Sequence, residues 1–363
     1  MEQERKIRVA ITQGDTNGVG YELIFKTFSS PEMLELCTPI VYGSPKIATY
    51  HRKALELEDG NFSIVGSAAD VKDGRLNLLT CFDDEVKVEL GMAAKESAEA
   101  GIKALERAMA DAAAGAYDVL VMCPLQKNEE LKFPGQQTFV EQRLGKKAQL
   151  IVMNSRQRMA FMTADVALKD VAASITKEGI VQQTTELFNT IRRDLRVLNP
   201  RVAVLALNPA ANGKEETDII TPALAALEES QVKAFGPYAA EPFFAQRQYD
   251  AFDGVLAMYH DQGMAPLHTL AADDCIRLLG GLDLVITMPD ESPLFEQAGK
   301  GRTDEGAFRQ AVYAAIDIWR NRQTYDEPLA NPLPKLYHEK RDESEKVRFS
   351  IPKKHENSIK EKL

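Results

Sequence analysis

The chain has 363 residues, of which 44% are hydrophobic and 27% charged, a composition typical of a soluble globular protein of about two domains. Its net charge of −10, without a clustered basic patch, excludes a nucleic-acid-binding groove. No run reaches the ~18 apolar residues of a membrane span, and the charged start MEQERKIRVAIT is unlike a signal peptide, so we expect a cytoplasmic protein with reduced cysteines.

Short β-branched runs alternate with longer amphipathic stretches, a pattern typical of strands followed by helices. The Ala-rich stretch 90–114 is the strongest helix prediction. The runs 148–153 and 158–163 are close enough to form a hairpin. The other predicted strands are 6–12, 38–43, 117–124, 201–207 and 254–259, and the other predicted helices are 21–28, 46–57, 177–196, 218–230 and 304–321.

This alternation predicts an α/β fold with a largely parallel sheet. The polar break NEELKFPGQQ near residue 130 indicates a change of domain. We predict a first domain of residues 1–130 plus about 300–330 and a second of 131–299. The chain after Gln323 is rich in Pro, Lys and Glu, and 331–363 are expected to form a C-terminal arm or tail.

Polar turns follow several predicted strands, at the edge where parallel sheets present their ligands. GDTNGVG (14–20) lets a ligand approach the backbone, although a plain strand-to-helix turn explains its spacing equally well. Lys127 follows the strand 117–124 and is either a site residue or an ordinary surface lysine. The turn LNPAANG (207–213) offers no reactive side chain at Ala210.

YHDQG (259–263) carries two adjacent polar residues, His260 and Asp261, directly after a predicted strand. On a continuing strand their side chains point to opposite faces, so they would share a metal only if the backbone turns there. A hydrogen-bonded structural histidine is the plain alternative, while the following glycine favours a ligand role. Further along, the Gly-rich loop AGKGRTDEGAF (298–308) leads into the last helix.

Taken together, these motifs resemble the family of 4-hydroxythreonine-4-phosphate dehydrogenase, the PdxA enzymes of vitamin B6 (pyridoxine) biosynthesis. The matching segments keep the family order over roughly residues 6–322. They are ITQGDTNGVGYE, FPG (133–135), LKDVAASIT (168–176), LALNP, FGPYAA (235–240), FDGVLAMYHDQG and AGKG.

The resemblance implies a two-domain isocitrate/isopropylmalate dehydrogenase-like fold with largely parallel sheets, an interdomain cleft and a homodimer. The family reaction is NAD-dependent oxidation of 4-phosphohydroxy-L-threonine, followed by decarboxylation. A divalent metal, zinc in the family, is held by three histidines and polarises the oxygen being oxidised. The resemblance also implies a small phosphorylated or acidic substrate, and it assigns Lys127 as a catalytic residue.

This chain departs from the family pattern at the metal positions. They read Asp165 in TADVALKD, Ala210 in NPAAN and His260 in YHDQG. An alanine cannot bind a metal, and the loss of two imidazoles should abolish tight zinc binding. Asp165 and His260 remain as metal candidates, for a harder ion such as Mg²⁺ or Mn²⁺.

The substrate positions that the resemblance implies have changed as well. The family's D-H-G-T-A motif reads DESPL (290–294), and an arginine position is Ile286, which offers no donor to a phosphate. The substrate-pocket residues that we assign are Asp15, Gln136, Gln137, His268 and Arg277.

Three functions remain open. In the first, the chain is a diverged paralogue without the parent activity, serving as a binding or regulatory subunit, alone or in a heterodimer with an intact paralogue. In the second, it is an active oxidoreductase on a different substrate, using Mg²⁺ or Mn²⁺ at Asp165 and His260. In the third, it is the parent dehydrogenase with unusual metal ligands.

Overall fold

The computed structural model describes residues 5–58, 61–82 and 86–331. The predicted arm or tail, 331–363, lies outside the described residues except for its first residue. Contacts group Met1–Tyr325 into one compact unit and Asp326–Leu363 into a second, of which 326–331 are described. The division of the first unit into two domains stays a prediction.

The described residues contain twelve strands, and seven of them match the seven predicted apolar runs. The twelve strands are β1 (Arg8–Thr12), β2 (Thr38–Gly43), β3 (Ser63–Val65), β4 (Asn77–Thr80), β5 (Val119–Met122), β6 (Gln149–Met153), β7 (Arg158–Thr163), β8 (Val202–Leu205), β9 (Ala234–Tyr238), β10 (Gly254–Tyr259), β11 (Ile276–Gly280) and β12 (Val285–Pro289).

These strands form one sheet in the order β3-β4-β2-β1-β5-β12-β11-β6-β7-β10-β8-β9. Neighbours are parallel from β3 to β12 and again from β7 to β9. Antiparallel pairs in the centre, including the predicted hairpin of β6 and β7, make the two parallel parts run in opposite directions. The predicted α/β fold with a largely parallel sheet is confirmed.

Side chains on both faces of the sheet are buried. On β1, Val9 and Ile11 belong to one hydrophobic cluster and Ala10, between them, to another. Because successive side chains of a strand point to opposite faces, both faces of β1 are covered. Such a strand reads as a continuous apolar run, which is why the sequence predicts it.

Helices connect the strands and cover the sheet. They are α1 (Gly20–Phe28), α2 (Pro31–Leu36), α3 (Pro45–Ala54), α4 (Lys95–Ala113), α5 (Gln136–Leu144), α6 (Leu168–Ser174), α7 (Lys177–Asp194), α8 (Thr221–Glu229), α9 (Ala240–Ala245), α10 (His260–Leu270) and α11 (Gly306–Ala330). Within the described ranges, none of them combines the length and the apolar character that a bilayer crossing requires.

Several predicted boundaries are wrong. The helix predicted from residue 90 begins at Lys95, and the last helix continues to Ala330, beyond its predicted end at 321. The residues after Gln323 are therefore helical up to Ala330, because an exposed helix face tolerates Asp and Glu. The strands β3, β4, β9, β11 and β12 were not predicted. Apolar runs of five residues, such as those of β11 and β12, resemble buried helix segments equally well.

Candidate functional site

Loops at the carboxyl ends of four strands line one cavity of about 780 Å³. Lys127 follows β5, Asp165 follows β7, His260 follows β10 and Asp290 follows β12. Ligand sites of α/β proteins commonly lie beyond the carboxyl ends of strands. Seven of the eight predicted site residues line this cavity: Lys127, Gln136, Gln137, Asp165, His260, His268 and Arg277.

Asp15, the eighth, is buried in the turn between β1 and α1 and is not among the residues that line the cavity. Its carboxylate accepts a hydrogen bond of 2.9 Å from the backbone amide of Asn17. Its own amide donates to the carbonyl of Pro124, a cavity residue, at 3.1 Å. Burial raises the pKa of the Asp15 carboxyl. Asp15 thus supports the wall behind the cavity, and its role in substrate binding stays a prediction.

The two glutamines at the start of α5 are held by the surrounding protein. Gln136 donates from Nε2 to the carbonyl of Cys123 at 2.9 Å and accepts from the amide of Leu125 at 3.3 Å. Gln137 donates to the carboxylate of Glu141 at 3.1 Å. Each glutamine therefore helps to fix the wall formed by α5 and the loop after β5.

Lys127 and Asp165 form an ion pair across the cavity. Lys127 comes from the loop after β5 and Asp165 from the loop after β7, so the pair joins the two parallel parts of the sheet. Both side chains are exposed, at 61% and 82% of their surface. Asp165 is thus already engaged by a cation of the chain.

His260 is the first residue of α10, not part of a continuing strand. The backbone turns into a helix at this point, which is the condition under which the sequence allowed His260 and Asp261 to share a ligand. His260 Nδ1 lies 2.8 Å from Oδ1 of Asp261, and its ring stacks on Phe161 at a centroid distance of 5.7 Å. These contacts fix the imidazole at the cavity wall.

Replacing Gly263 by alanine is expected to destabilise the protein by about 1–3 kcal/mol, although alanine is the better helix former by about 1 kcal/mol. An added Cβ would lie 2.7 Å from Met159 Cγ and 2.8 Å from Phe161 Cε1. Denaturant unfolding measures the loss, with Ala265→Gly, at an exposed site of the same helix, as the control for helix propensity. An unchanged or higher midpoint for Gly263→Ala would contradict this packing.

His268 and Arg277, two of the predicted substrate-pocket residues, both contact one buried carboxylate. His268 Nε2 lies 2.7 Å from Oδ2 of Asp290, and Arg277 Nε donates to Oδ1 at 2.5 Å. The Asp290 side chain is 2% exposed. The sequence placed 290–294 at a substrate motif of the family but gave Asp290 no role, because its two partners lie 22 and 13 residues away along the chain.

Glu291 is a second cavity residue that sequence reasoning left without a role. Burial, together with the carboxylates of Asp304 and Asp290, raises the pKa of Glu291 to about 7. The signal in the sequence was the acidic pair Asp290-Glu291 directly after the apolar run VITMP. Because the run was not recognised as the strand β12, the acidic pair was not placed at the edge of the sheet.

Comparison with known proteins identifies the family. Residues 35–315 match the family described as pyridoxal phosphate biosynthetic protein PdxA. The chain is 46% identical over 358 residues to a 4-hydroxythreonine-4-phosphate dehydrogenase of Bacteroides thetaiotaomicron, covering 96% of this chain and 98% of the relative. This chain belongs to the PdxA family. The family resemblance inferred from the sequence motifs is confirmed.

Solved structures of PdxA proteins share the fold. A 4-hydroxythreonine-4-phosphate dehydrogenase of Klebsiella pneumoniae superposes with a TM-score of 0.74 at 22% identity, covering 88% of this chain and 99% of that chain. One from Burkholderia phymatum gives 0.71 at 24% identity, with coverages of 87% and 99%. The predicted fold class is thereby confirmed.

The positions that the PdxA resemblance assigns to three metal histidines follow adjacent strands. β7, β10 and β8 are neighbours and parallel, and they lead into Asp165, His260 and Ala210. Since the carboxyl ends of parallel strands lie at one sheet edge, the loops that carry the three positions leave the same edge. Asp165 and His260 line the cavity, whereas Ala210, five residues after the end of β8, is not among its lining residues. One is an imidazole, one a carboxylate paired with Lys127, and one a methyl group. This donor set does not fit zinc.

Within the described ranges, one group of metal-ligand-type side chains is close together: His268, Cys275 and Asp290, with ligand atoms within 4.8 Å of one another. The Asp290 carboxylate is occupied by Arg277, and the Cys275 thiol donates to the carbonyl of Ala271 at 3.0 Å. Burial raises the pKa of that thiol to about 11, which disfavours the thiolate that a metal needs. These side chains are therefore engaged by other groups of the chain: His268 and Arg277 contact Asp290, and Cys275 contacts the Ala271 carbonyl.

Proposed function

We propose that this PdxA-family chain has lost the parental metal-assisted dehydrogenation and keeps its cavity as a binding site of a non-catalytic or regulatory protein. The carrying observation is the edge formed by β7, β10 and β8. The loops after these strands carry Asp165, His260 and Ala210, the positions that the family resemblance assigns to three metal-binding imidazoles. With one imidazole, the Lewis acid of the parent reaction has too few ligands.

The state of the basic side chains supports the same proposal. Lys127 contacts Asp165 and Arg277 contacts Asp290, so each cation of the cavity already has a carboxylate partner within the chain. A phosphorylated substrate needs free donors and positive charge. Ile286, fully buried on β12, supplies neither. The phosphate of 4-phosphohydroxy-L-threonine would therefore have to compete with Asp165 and Asp290 for the cationic side chains of the cavity.

A second candidate is an oxidoreductase that acts on a different substrate with Mg²⁺ or Mn²⁺. Asp165 and His260 line the same cavity, and Asp261, hydrogen-bonded to His260, adds an exposed carboxylate. Oxygen ligands suit these harder ions. NAD as the oxidant, the catalytic role of Lys127 and the homodimer are carried over from the family resemblance. Lys127 is engaged by Asp165, so this candidate requires a metal to displace that contact.

NADH formation from 4-phosphohydroxy-L-threonine, with Zn²⁺, Mg²⁺ or Mn²⁺ added in turn, tests the proposal. We expect no turnover with any of them, because the metal edge has one imidazole. The positive control is the Bacteroides thetaiotaomicron relative under the same conditions, and light scattering checks that the chain is a folded dimer. Turnover with any metal would overturn the loss of parent activity.

A further inference from the structure

The turn after β8 holds an asparagine–glycine pair, Asn212-Gly213, and the turn after β1 holds the other such pair of the chain, Asn17-Gly18. Asparagine is among the residues that limit the chemical stability of proteins. Its side chain can react with the backbone nitrogen of the next residue, and glycine, which lacks a Cβ, hinders this reaction least. The two pairs are chemically equivalent, so only their surroundings in the fold distinguish them.

The side chain of Asn17 is buried and held at both of its polar atoms. Its Nδ2 donates to the carbonyl of Met92 at 2.9 Å, and its Oδ1 accepts from the amide of Glu89 at 2.9 Å. The amide of Gly18, which would have to attack, donates to the carbonyl of Asp15 at 3.1 Å. A reaction at Asn17 would therefore have to break three hydrogen bonds of a buried turn.

Asn212 has none of these restraints. It is exposed and lies in a short segment without regular secondary structure. Among the described residues, neither its side-chain nitrogen nor the amide of Gly213 donates a hydrogen bond. Exposed loops open locally at a low cost in free energy, so the amide and the side chain can reach each other without global unfolding.

We propose that Asn212 is a site of spontaneous deamidation. The backbone nitrogen of Gly213 attacks Cγ of Asn212, the proton of that nitrogen leaves with the side-chain amino group as ammonia, and a cyclic succinimide forms. Water then opens the ring at one of its two carbonyls, which gives aspartate or isoaspartate at position 212. Water is the only co-reactant, so the reaction does not depend on the function proposed above.

The product changes the charge of the turn that carries Ala210. Two carboxylates already lie beside this turn, because Glu215 and Glu216 both accept from Nδ2 of Asn208, each at 2.9 Å. A further carboxylate at position 212 adds like charge to this group, and like charges repel each other. The turn therefore becomes more acidic as the protein ages.

Incubation of the full-length protein at 37 °C and pH 8, followed by peptide mass spectrometry, tests the proposal. A peptide that has reacted gains the mass difference between a hydroxyl and an amino group, and protein isoaspartyl methyltransferase labels its isoaspartate. We expect the product to accumulate at least about tenfold faster at Asn212 than at Asn17, because the buried turn must open before Asn17 can react.

Two controls separate the chemistry of the pair from the effect of the fold. The protein incubated in guanidinium chloride should react at similar rates at both sites, because unfolding removes the hydrogen bonds of Asn17. The variant Asn212→Gln should lose the labelling at this position, since glutamine closes the corresponding ring less readily. Equal rates at the two sites of the folded protein, or an unreacted Asn212 in the folded protein, would overturn the proposal.

Discussion

Replacing Arg322 by alanine is expected to destabilise the protein by about 3–5 kcal/mol, because it leaves a buried carboxylate without its partner. Arg322 lies on α11 and donates to both oxygens of Asp194 on α7, at 2.8 and 2.6 Å. It also donates to the carbonyls of Leu282 and Asp283, at 2.9 and 2.8 Å. The side chains of Arg322 and Asp194 are 6% and 2% exposed.

Urea unfolding measures this loss. A control pair, Arg322→Met with Asp194→Leu, removes both charges, so it should recover much of the stability lost in Arg322→Ala. Arg5→Ala is a second control, because the Arg5 side chain is 56% exposed and its partner Asp118 keeps a hydrogen bond from the backbone amide of Arg8, so we expect a smaller loss. A loss for Arg322→Ala as small as that for Arg5→Ala would show that the buried network contributes little.

The double substitution Asp165→His with Ala210→His is expected to create a zinc site. The two new imidazoles, at positions 165 and 210, would follow β7 and β8, and the existing His260 follows β10. The double substitution also frees Lys127 from its ion pair. Because each ligand contributes strongly to metal affinity, we expect zinc to bind at least about a hundredfold tighter than to the wild type.

Competition against a chromogenic zinc chelator gives the affinity, and elemental analysis gives the stoichiometry. The control is Ala210→His alone, which supplies two imidazoles and leaves Asp165 paired with Lys127. It should bind zinc more weakly than the double variant. Failure of the double variant to take up zinc, in a folded protein, would contradict the assignment of these three positions to one sheet edge.

The sequence predicted the fold better than its details. Buried parallel strands such as β2 and β10 matched their apolar runs residue for residue, because both faces of these strands are covered. β11 and β12 could not be recognised, since their identity depends on partners far away in sequence. Arg277, on β11, pairs with Val152 on β6 and Met288 on β12.

The composition of the site was predictable, and its charge balance was not. Family motifs gathered Lys127, Asp165, His260 and His268, and the structure brings them to one cavity. Which base pairs with which acid depends on side chains that the fold brings together. Asp290 contacts both His268 and Arg277 because β11 and β12 lie side by side in the sheet. The pairing of Arg277 with a carboxylate could therefore not be inferred from the sequence.

The exposed pair of Lys127 and Asp165 joins the two lips of the cavity, one lip after β5 and one after β7. Ion pairs in contact with solvent weaken as dissolved salt screens their attraction, with a Debye length of about 10 Å at 0.1 M and about 3 Å at 1 M. The ion pair between the two lips is therefore expected to be stronger at low ionic strength than at high ionic strength. Ionic strength should therefore alter this contact between the two loops, separately from its effect on the binding of any charged ligand.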